Sequence, residues 1–322
     1  MRIIYLDQAT FLPPEWHERF AGLGDFQAFD DHPDPDTAVR RLCDADLAIV
    51  ESTPLPGELL RRVTRLRYLT VATNGFHGVD LDAATAAGIT VAHCPEHSRQ
   101  AVAEYVYAVL LESSRGLIAA DRAARGGVRE SSRPFPKLEL RGRTMGLLGA
   151  GRIAGQVARI AAGFEMSVIG TNRTGAPVDG LTVVPLEELL RRADVLSVHL
   201  PLDATTRGIL NAQRLALLRE STVLINTSRG ELIDQTALAR MLSTGRLAGA
   251  CLDHIGADAA DTLRALDNVV LTPGTAWHTD TARTANLHEI YDNLAGFLAG
   301  RPRNVVADAG SPHTTYIPGV VE

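Results

Sequence analysis

The sequence predicts an α/β protein made of two doubly wound parallel sheets, each covered by helices on both faces. Three observations carry this expectation. Short β-branched and aliphatic runs alternate with helix-like stretches from end to end, the pattern of parallel strands joined by crossover helices. The runs fall into two series, separated by the stretch RAARGGVRESSRPFPKLEL, which is rich in Arg, Gly, Ser and Pro. A chain of 322 residues with 45% hydrophobic content is long enough to bury two cores.

In the first series the strand candidates are residues 2–7, 47–51, 68–73 and 89–93, each ending near polar or turn residues. They predict one small sheet. Residues 101–111 follow, with Val102, Tyr105, Val106, Val109 and Leu110 at helical spacing on one face, so a long packed helix is expected. The Arg/Gly/Ser/Pro stretch then reads as an extended arm suited to a subunit interface. The second series, residues 145–149, 166–171, 195–200, 222–227, 249–253 and 268–272, gives six strands, enough for a dinucleotide-sized domain. The tail from about residue 285 holds a further helix, NLHEIYDNLAGFLAG, placed to return to the first domain.

The net charge of −6 offers no basic footprint for nucleic acid, and no partner of that kind is expected. The apolar run in MRIIYLDQAT stops at Asp7, and no uncharged run approaches membrane-spanning length, so the expectation is a soluble, cytoplasmic protein with no membrane partner. Cys43, Cys94 and Cys251 are widely spaced and unpaired in pattern, as befits thiols rather than a disulfide frame. The scattered His, Cys and carboxylates lack ligand spacing, and no metal is expected.

Chemistry enters at GLLGAGRIAGQVARIA. Gly149, Gly151 and Ala154 stand in a G-x-G-x-x-A spacing between a strand and a helix, where glycine permits a tight turn and backbone N–H groups face a pyrophosphate. An acidic residue about 20 positions on would take the ribose hydroxyls of NAD. Here the second strand ends IGTNRTG, with Asn172, Arg173 and Thr174 in that region. A neutral amide does not repel a 2′-phosphate and a guanidinium pairs with it, so NADP(H) is expected over NAD(H), which remains the second option.

Read together, SVHLPLDATTRGIL, LINTSRGELIDQTALARML, GACLDHIGAD and NVVLTPGTAW, with NGFHGVDLDAATAAGITVAHCPEHSRQAVAEY before them, resemble the D-2-hydroxyacid dehydrogenase family over nearly the whole chain. The resemblance implies a Rossmann cofactor domain at residues 100–285 and a smaller flavodoxin-like substrate domain at residues 1–99 and 286–322, with the catalytic cleft between them. It implies that Asn74, Gly75 and Phe76 present N–H groups to a substrate carboxylate. His199, Pro201 and Thr206 would line the adenosine and pyrophosphate side, Arg152 and Ile153 the pyrophosphate itself, and Thr227 and Asp253 the nicotinamide carboxamide. Arg229 matches the substrate-binding arginine, and residues 116–143 the dimerisation region of a homodimer. Hydride transfer between a nicotinamide and a small 2-oxo or 2-hydroxy acid is the implied activity.

One position departs from that pattern. The family places its proton-donating histidine directly after the proline of VVLTPGTAWHT, paired with a glutamate five residues beyond the nicotinamide aspartate. This chain has Gly274 and Asp258 there, and Ala259 where a proline usually follows. A general acid is worth about 100-fold to 10000-fold in rate, so its loss demands an explanation. Another imidazole could serve: His278 on the same loop is the first choice, with His254 and His97 behind it. Alternatively the substrate, water or Asp258 carries the proton, and the space left at Gly274 admits a bulky or phosphonate-bearing acid. The third reading is a non-catalytic NADP(H)-binding protein derived from the same fold.

Overall fold

The computed structural model describes residues 1–9, 12–128, 138–256 and 259–309. Two compact units divide the chain: Met1–Ser98 with Thr279–Glu322, and Arg99–His278.

In the first unit, β1 (Arg2–Tyr5), β2 (Asp25–Ala28), β3 (Leu47–Val50), β4 (Tyr68–Val71) and β5 (Thr90–Ala92) are parallel in the order 2-1-3-4-5. Successive side chains of each strand enter different cores. In β1 and β3, Ile3, Tyr5, Leu47 and Ile49 pack on one face with Trp16 and Phe20, while Ile4, Ala48 and Val50 pack on the other with Leu42 and Leu60. Both faces are buried, so these strands read as unbroken apolar runs. β2, with the sequence DFQA, escaped the sequence reading because it is an edge strand burying only Phe26.

In the second unit, β6 (Thr144–Leu148), β7 (Ser167–Thr171), β8 (Thr182–Val183), β9 (Val195–Val198), β10 (Val223–Asn226), β11 (Gly249–Leu252) and β12 (Val269–Leu271) form a parallel sheet in the order 12-11-10-9-6-7-8. This is the doubly wound order of dinucleotide-binding sheets with one strand added. The alternation is again strict: Val223 and Ile225 face the helix Arg99–Arg115, and Leu224 faces the helix Gln235–Ser243. Returning to the first unit, the helix Asp280–Leu298 is followed by β13 (Val305–Ala307), which pairs antiparallel with the free edge of β5. The small sheet is the expected doubly wound parallel sheet in five strands, with a sixth, antiparallel strand added at its edge.

Helix starts follow their side chains. Asp34, Asp80, Asp234 and Thr279 each accept the backbone N–H three residues on, and each such cap is worth about 1 kcal/mol. The expected extended arm is helical at its start: the helix Leu117–Arg125 carries the i,i+4 pair Asp121–Arg125 at 2.8 Å and stops at Gly126 and Gly127. Residues 129–137 of that arm lie outside the described residues. No helix of the described residues is long and apolar enough to cross a membrane.

Candidate active site

The glycine-rich turn sits between β6 and the helix Arg152–Gly163, at the carboxyl edge of the larger sheet beside its switch point. Gly149 has φ of +99°, and a Cβ there would fall 2.9 Å from the carbonyl oxygen of His199 and from Leu200. Glycine is thus required twice over. Gly151 caps the helix, and a Cβ built on it meets nothing within 4 Å, so there is room beside the helix start, where first-turn N–H groups favour an anion.

In the same unit three buried polar atoms have no hydrogen-bond partner among the described residues: Ser197 Oγ, His199 Nε2 and Thr227 Oγ1. Buried orphans of this kind are costly unless something else binds them. His199 and Thr227 lie just past the ends of β9 and β10, where a nicotinamide dinucleotide would supply amide and phosphate partners, and they fit that group, while Ser197 sits one residue inside β9. Burial pushes His199 down to about 4, so its ring is neutral. Ser197 had a sequence signal that was passed over, a single hydroxyl in the otherwise apolar strand VLSV.

Other expected cofactor residues are engaged in building loops. The Asn172 amide donates to the Ala176 carbonyl and accepts from the Thr174 hydroxyl, and the exposed Arg173 rides on the turn this makes. The Thr206 hydroxyl donates to the Pro201 carbonyl at 2.7 Å and, with Asp203, knits residues 201–206. Asp253 accepts from the Thr272 hydroxyl at 2.6 Å and from the N–H groups of Thr275 and Ala276, so its carboxylate shapes the loop after β12.

That loop holds the departure from the family pattern. Gly274 has φ of +76°, a conformation that burdens any residue with a side chain. A Cβ at Gly274 would lie 2.7 Å from Cε1 of His254 and within 3.5 Å of both ring nitrogens. The imidazole of His254 thus occupies the space a side chain at 274 would take. Arg229, half-buried at the end of β10, lies close enough to His254 to act on its charge. Burial first, and then the Arg229 cation, hold His254 below its ordinary range, while Asp253 and Glu231 only partly offset this. Burial likewise lowers Arg229. Of its five N–H donors, one is used among the described residues, Nη1 on the Ser228 carbonyl at 3.0 Å. The fork is left for a carboxylate.

His278 stands exposed just before the start of the helix Asp280–Leu298, its ring stacked on Trp277. His97 lies in the first unit against Glu289, its ring donating to the Cys94 carbonyl. Asp258 lies outside the described residues. Among the three candidate imidazoles, His254 is the one against Gly274, a placement to which its position directly after Asp253 gave no pointer. The support is a residue the sequence did not flag: Gln235 accepts the Gly256 N–H at 2.9 Å and holds the backbone beyond His254.

In the first unit, the segment after β4 is pinned through its carbonyls. His93 donates to Asn74 at 2.9 Å and Thr73 to Gly75 at 2.6 Å, and the Phe76 ring meets His93 edge-on. Among the described residues the N–H groups of Asn74 and Gly75 donate to no protein acceptor. N–H groups left without an acceptor in this way can receive an anion.

The geometry now has relatives to be set beside. Residues 107–276 match the family model of the D-isomer specific 2-hydroxyacid dehydrogenase NAD binding domain. A hydroxypyruvate reductase from Blautia hydrogenotrophica is 30% identical over 95% of this chain and 99% of its own length. A glyoxylate reductase from Aeropyrum pernix is 33% identical over 91% of this chain and 92% of its own. Among solved structures, an acyclic imino acid reductase (Bsp5) in complex with NADPH and D-Arg superimposes with a TM-score of 0.92 at 39% identity, covering 95% of this chain and 99% of that one. An NADPH-dependent glyoxylate/hydroxypyruvate reductase from Sinorhizobium meliloti, in complex with NADP and malonate, gives 0.86 at 30% identity, covering 99% of each. On the family-model match and on relatives 30% or more identical over nearly their whole length, the chain belongs to the D-2-hydroxyacid dehydrogenase family of nicotinamide-dependent oxidoreductases.

Proposed function

We propose that this chain is an NADP(H)-preferring reductase acting at C2 of a 2-imino acid, the nitrogen counterpart of a 2-oxo acid, with His254 in place of the usual acid. The observation that carries this reading is the pairing of Gly274 with the His254 imidazole. A ketone oxygen needs a proton as hydride arrives, and a histidine held below its ordinary range is mostly neutral near pH 7 and donates poorly. A protonated imine already carries its proton: hydride addition to R2C=NH2+ gives the neutral amine R2CH–NH2 with no proton owed in that step. Neutral His254 suits it as an acceptor for the N–H. The family resemblance to an imino acid reductase points the same way.

The nicotinamide, when bound, supplies the hydride. The chain itself would bind with the N–H groups of Arg152 and Ile153 at the pyrophosphate, with His199 and Thr227 satisfying their orphaned atoms on the dinucleotide, and with Arg173 at the 2′-phosphate over the turn built by Asn172 and Thr174. Arg229 would grip the substrate carboxylate through its unused donors. Preference for NADPH draws support from the two relatives seen with NADPH or NADP. Self-association as a homodimer is supported by the helix Leu117–Arg125, which buries none of its residues and leaves Leu117 and Ile118 exposed; light scattering coupled to gel filtration tests it.

The deciding assay follows oxidation of NADPH and NADH with 2-oxo acids alone, with the same acids plus ammonium, and with imino acids generated in place by an amino acid oxidase. Turnover that depends on ammonium or the oxidase, and that is faster with NADPH, is expected. Equal reduction of 2-oxo acids without an amine would overturn the imine assignment, and faster NADH oxidation the cofactor assignment.

A further inference from the structure

The carboxyl edge of the smaller sheet carries a group that the proposed chemistry does not use. With strand order 2-1-3, the switch point of this sheet lies between β1 and β3, and in open doubly wound sheets that crevice is where ligands bind. Two carboxylates meet there, Asp7 just past β1 and Glu51 at the end of β3. They have different fates. Asp7 is fully buried and accepts five hydrogen bonds, from the N–H groups of Glu51, Ser52 and Thr53 and the hydroxyls of Ser52 and Thr53, at 2.6 to 3.1 Å. It is saturated and holds the turn that presents Glu51.

Glu51 is half-buried, yet among the described residues its carboxylate receives one hydrogen bond, the Tyr5 hydroxyl at 3.3 Å, and forms no ion pair. Four acceptor positions served by one long hydrogen bond, next to a second negative charge, are an expensive arrangement unless a cation arrives. Burial and the Asp7 charge push Glu51 up to about 7, with the Tyr5 hydroxyl and Arg283 offsetting only part of this. Its neighbour across the sheet is informative. β3 and β4 are in register at Val50 and Val71, so Glu51 stands about one strand spacing, roughly 5 Å, from the chain that runs on to the Asn74–Gly75 N–H groups. A turn with unused N–H groups and an under-served carboxylate thus stand on adjacent strand ends, the chemistry called for by an amino acid with a carboxylate at one end and a cation at the other.

We propose that Glu51 is a specificity-determining residue that pairs with a cationic side-chain group, guanidinium or ammonium, so that the preferred substrates are basic 2-imino acids. The inference rests on the reading of function above and names its substrate class. The relative in complex with D-Arg is consistent with it.

The test separates the two ideas by measuring binding as well as turnover. Titration calorimetry of the NADPH-loaded full chain with arginine and with citrulline, its neutral isostere, reads the charge alone. Arginine should bind about tenfold to hundredfold tighter, the span of one charge-assisted hydrogen-bonded pair. In Glu51→Gln the preference should collapse to within about threefold, with citrulline affinity retained and thermal unfolding showing an intact fold. In turnover, wild type should favour imino acids from arginine and lysine over those from norleucine through KM, and Glu51→Gln should erase that ratio. Equal binding of arginine and citrulline by wild type, or a preference that survives in Glu51→Gln, overturns the assignment. Absence of turnover with every imino acid, alongside a Glu51-dependent preference for arginine, would overturn the proposed reaction and support Glu51.

Discussion

The two sheets of this protein are built by the same physics and finish their carboxyl edges differently. In the larger one, the edge carries glycines that leave space and buried polar atoms without partners, Ser197 Oγ, His199 Nε2 and Thr227 Oγ1. In the smaller one, Asp7 is saturated by five donors and its neighbour Glu51 is held by one long hydrogen bond. The first edge is shaped for a large ligand rich in donors and acceptors, the second for a small cationic group. What differs is the residue type placed where each apolar run ends. Variants at these edges should therefore fail in different ways.

The largest effect is expected at Arg229. Its guanidinium is the half-buried cation beside His254 and has donors to spare. Arg229→Ala should lower kcat/KM by about 1000-fold or more, since it removes both a bidentate carboxylate grip and a preorganised positive charge. Steady-state kinetics with the best imino acid checks this. NADPH affinity should change little, and a fall in cofactor affinity equal to that in kcat/KM would mean that Arg229 serves the larger edge as a whole.

Next in size is the Gly274–His254 pair. His254→Ala should lower kcat by about 10-fold to 100-fold, the scale of one hydrogen bond to a charged group, and leave the fold intact. Gly274→His should destabilise the protein by about 1 to 3 kcal/mol, because it adds a side chain at φ of +76° and drives it into His254; thermal unfolding measures it. Combining His254→Gly with Gly274→His vacates that space. If the altered centre sets the choice between C=N and C=O, the double variant should reduce 2-oxo acids faster than His254→Gly alone, and no gain would place the choice elsewhere.

The same contrast between edges should appear as opposite slopes of stability with pH. His199 is lowered from 6.5 to about 4 by burial, so the folded state binds its proton more weakly than the unfolded chain. Its contribution is present above 6.5 and is lost as pH falls toward 4, on the order of 3 kcal/mol. Glu51 is raised from 4.5 to about 7, so its contribution is present below 4.5 and is lost as pH rises through 7. Chemical denaturation from pH 4 to 8 should show Glu51→Gln gaining on wild type above 7, and His199→Asn gaining on it below 5. Parallel curves for either variant would show that the group titrates alike in folded and unfolded chains.

How much of this was legible beforehand depended on whether the signal was local. Buried parallel strands announce themselves because both faces demand apolar residues, which is why residues 47–50 and 223–226 were found within a residue or so of their ends. Edge strands do not: DFQA buries one residue, and the strand Val305–Ala307 exists only because the edge of β5 is there to pair with. At the site, the glycine turn could be read from its spacing between a strand and a helix, and Arg229 was singled out by the family resemblance. The relation of His254 to Gly274 could not, since 20 residues separate two positions that parallel strands bring side by side. The Asp7–Glu51 contrast was hidden for the same reason, as a saturated carboxylate and an under-served one look alike in sequence until their donors are counted.

The smallest effect sharpens the larger edge. Asn172 spends its amide on Ala176 and Thr174, so the turn after β7 is preformed and Arg173 extends from it exposed. A guanidinium in water pairs with a phosphate weakly compared with a buried pair, and discrimination resting on one such contact is modest. Arg173→Ala should reduce the ratio of kcat/KM for NADPH over NADH by about tenfold at low salt, through KM for NADPH. The same measurement at high ionic strength should shrink the wild-type preference toward that of the variant, because screening acts on exposed charge. If the preference persists in high salt and in Arg173→Ala, the turn itself, held by Asn172, selects the cofactor by shape. Asn172→Asp would then decide the matter: a carboxylate there repels the 2′-phosphate and accepts from a ribose hydroxyl, and should turn the ratio toward NADH.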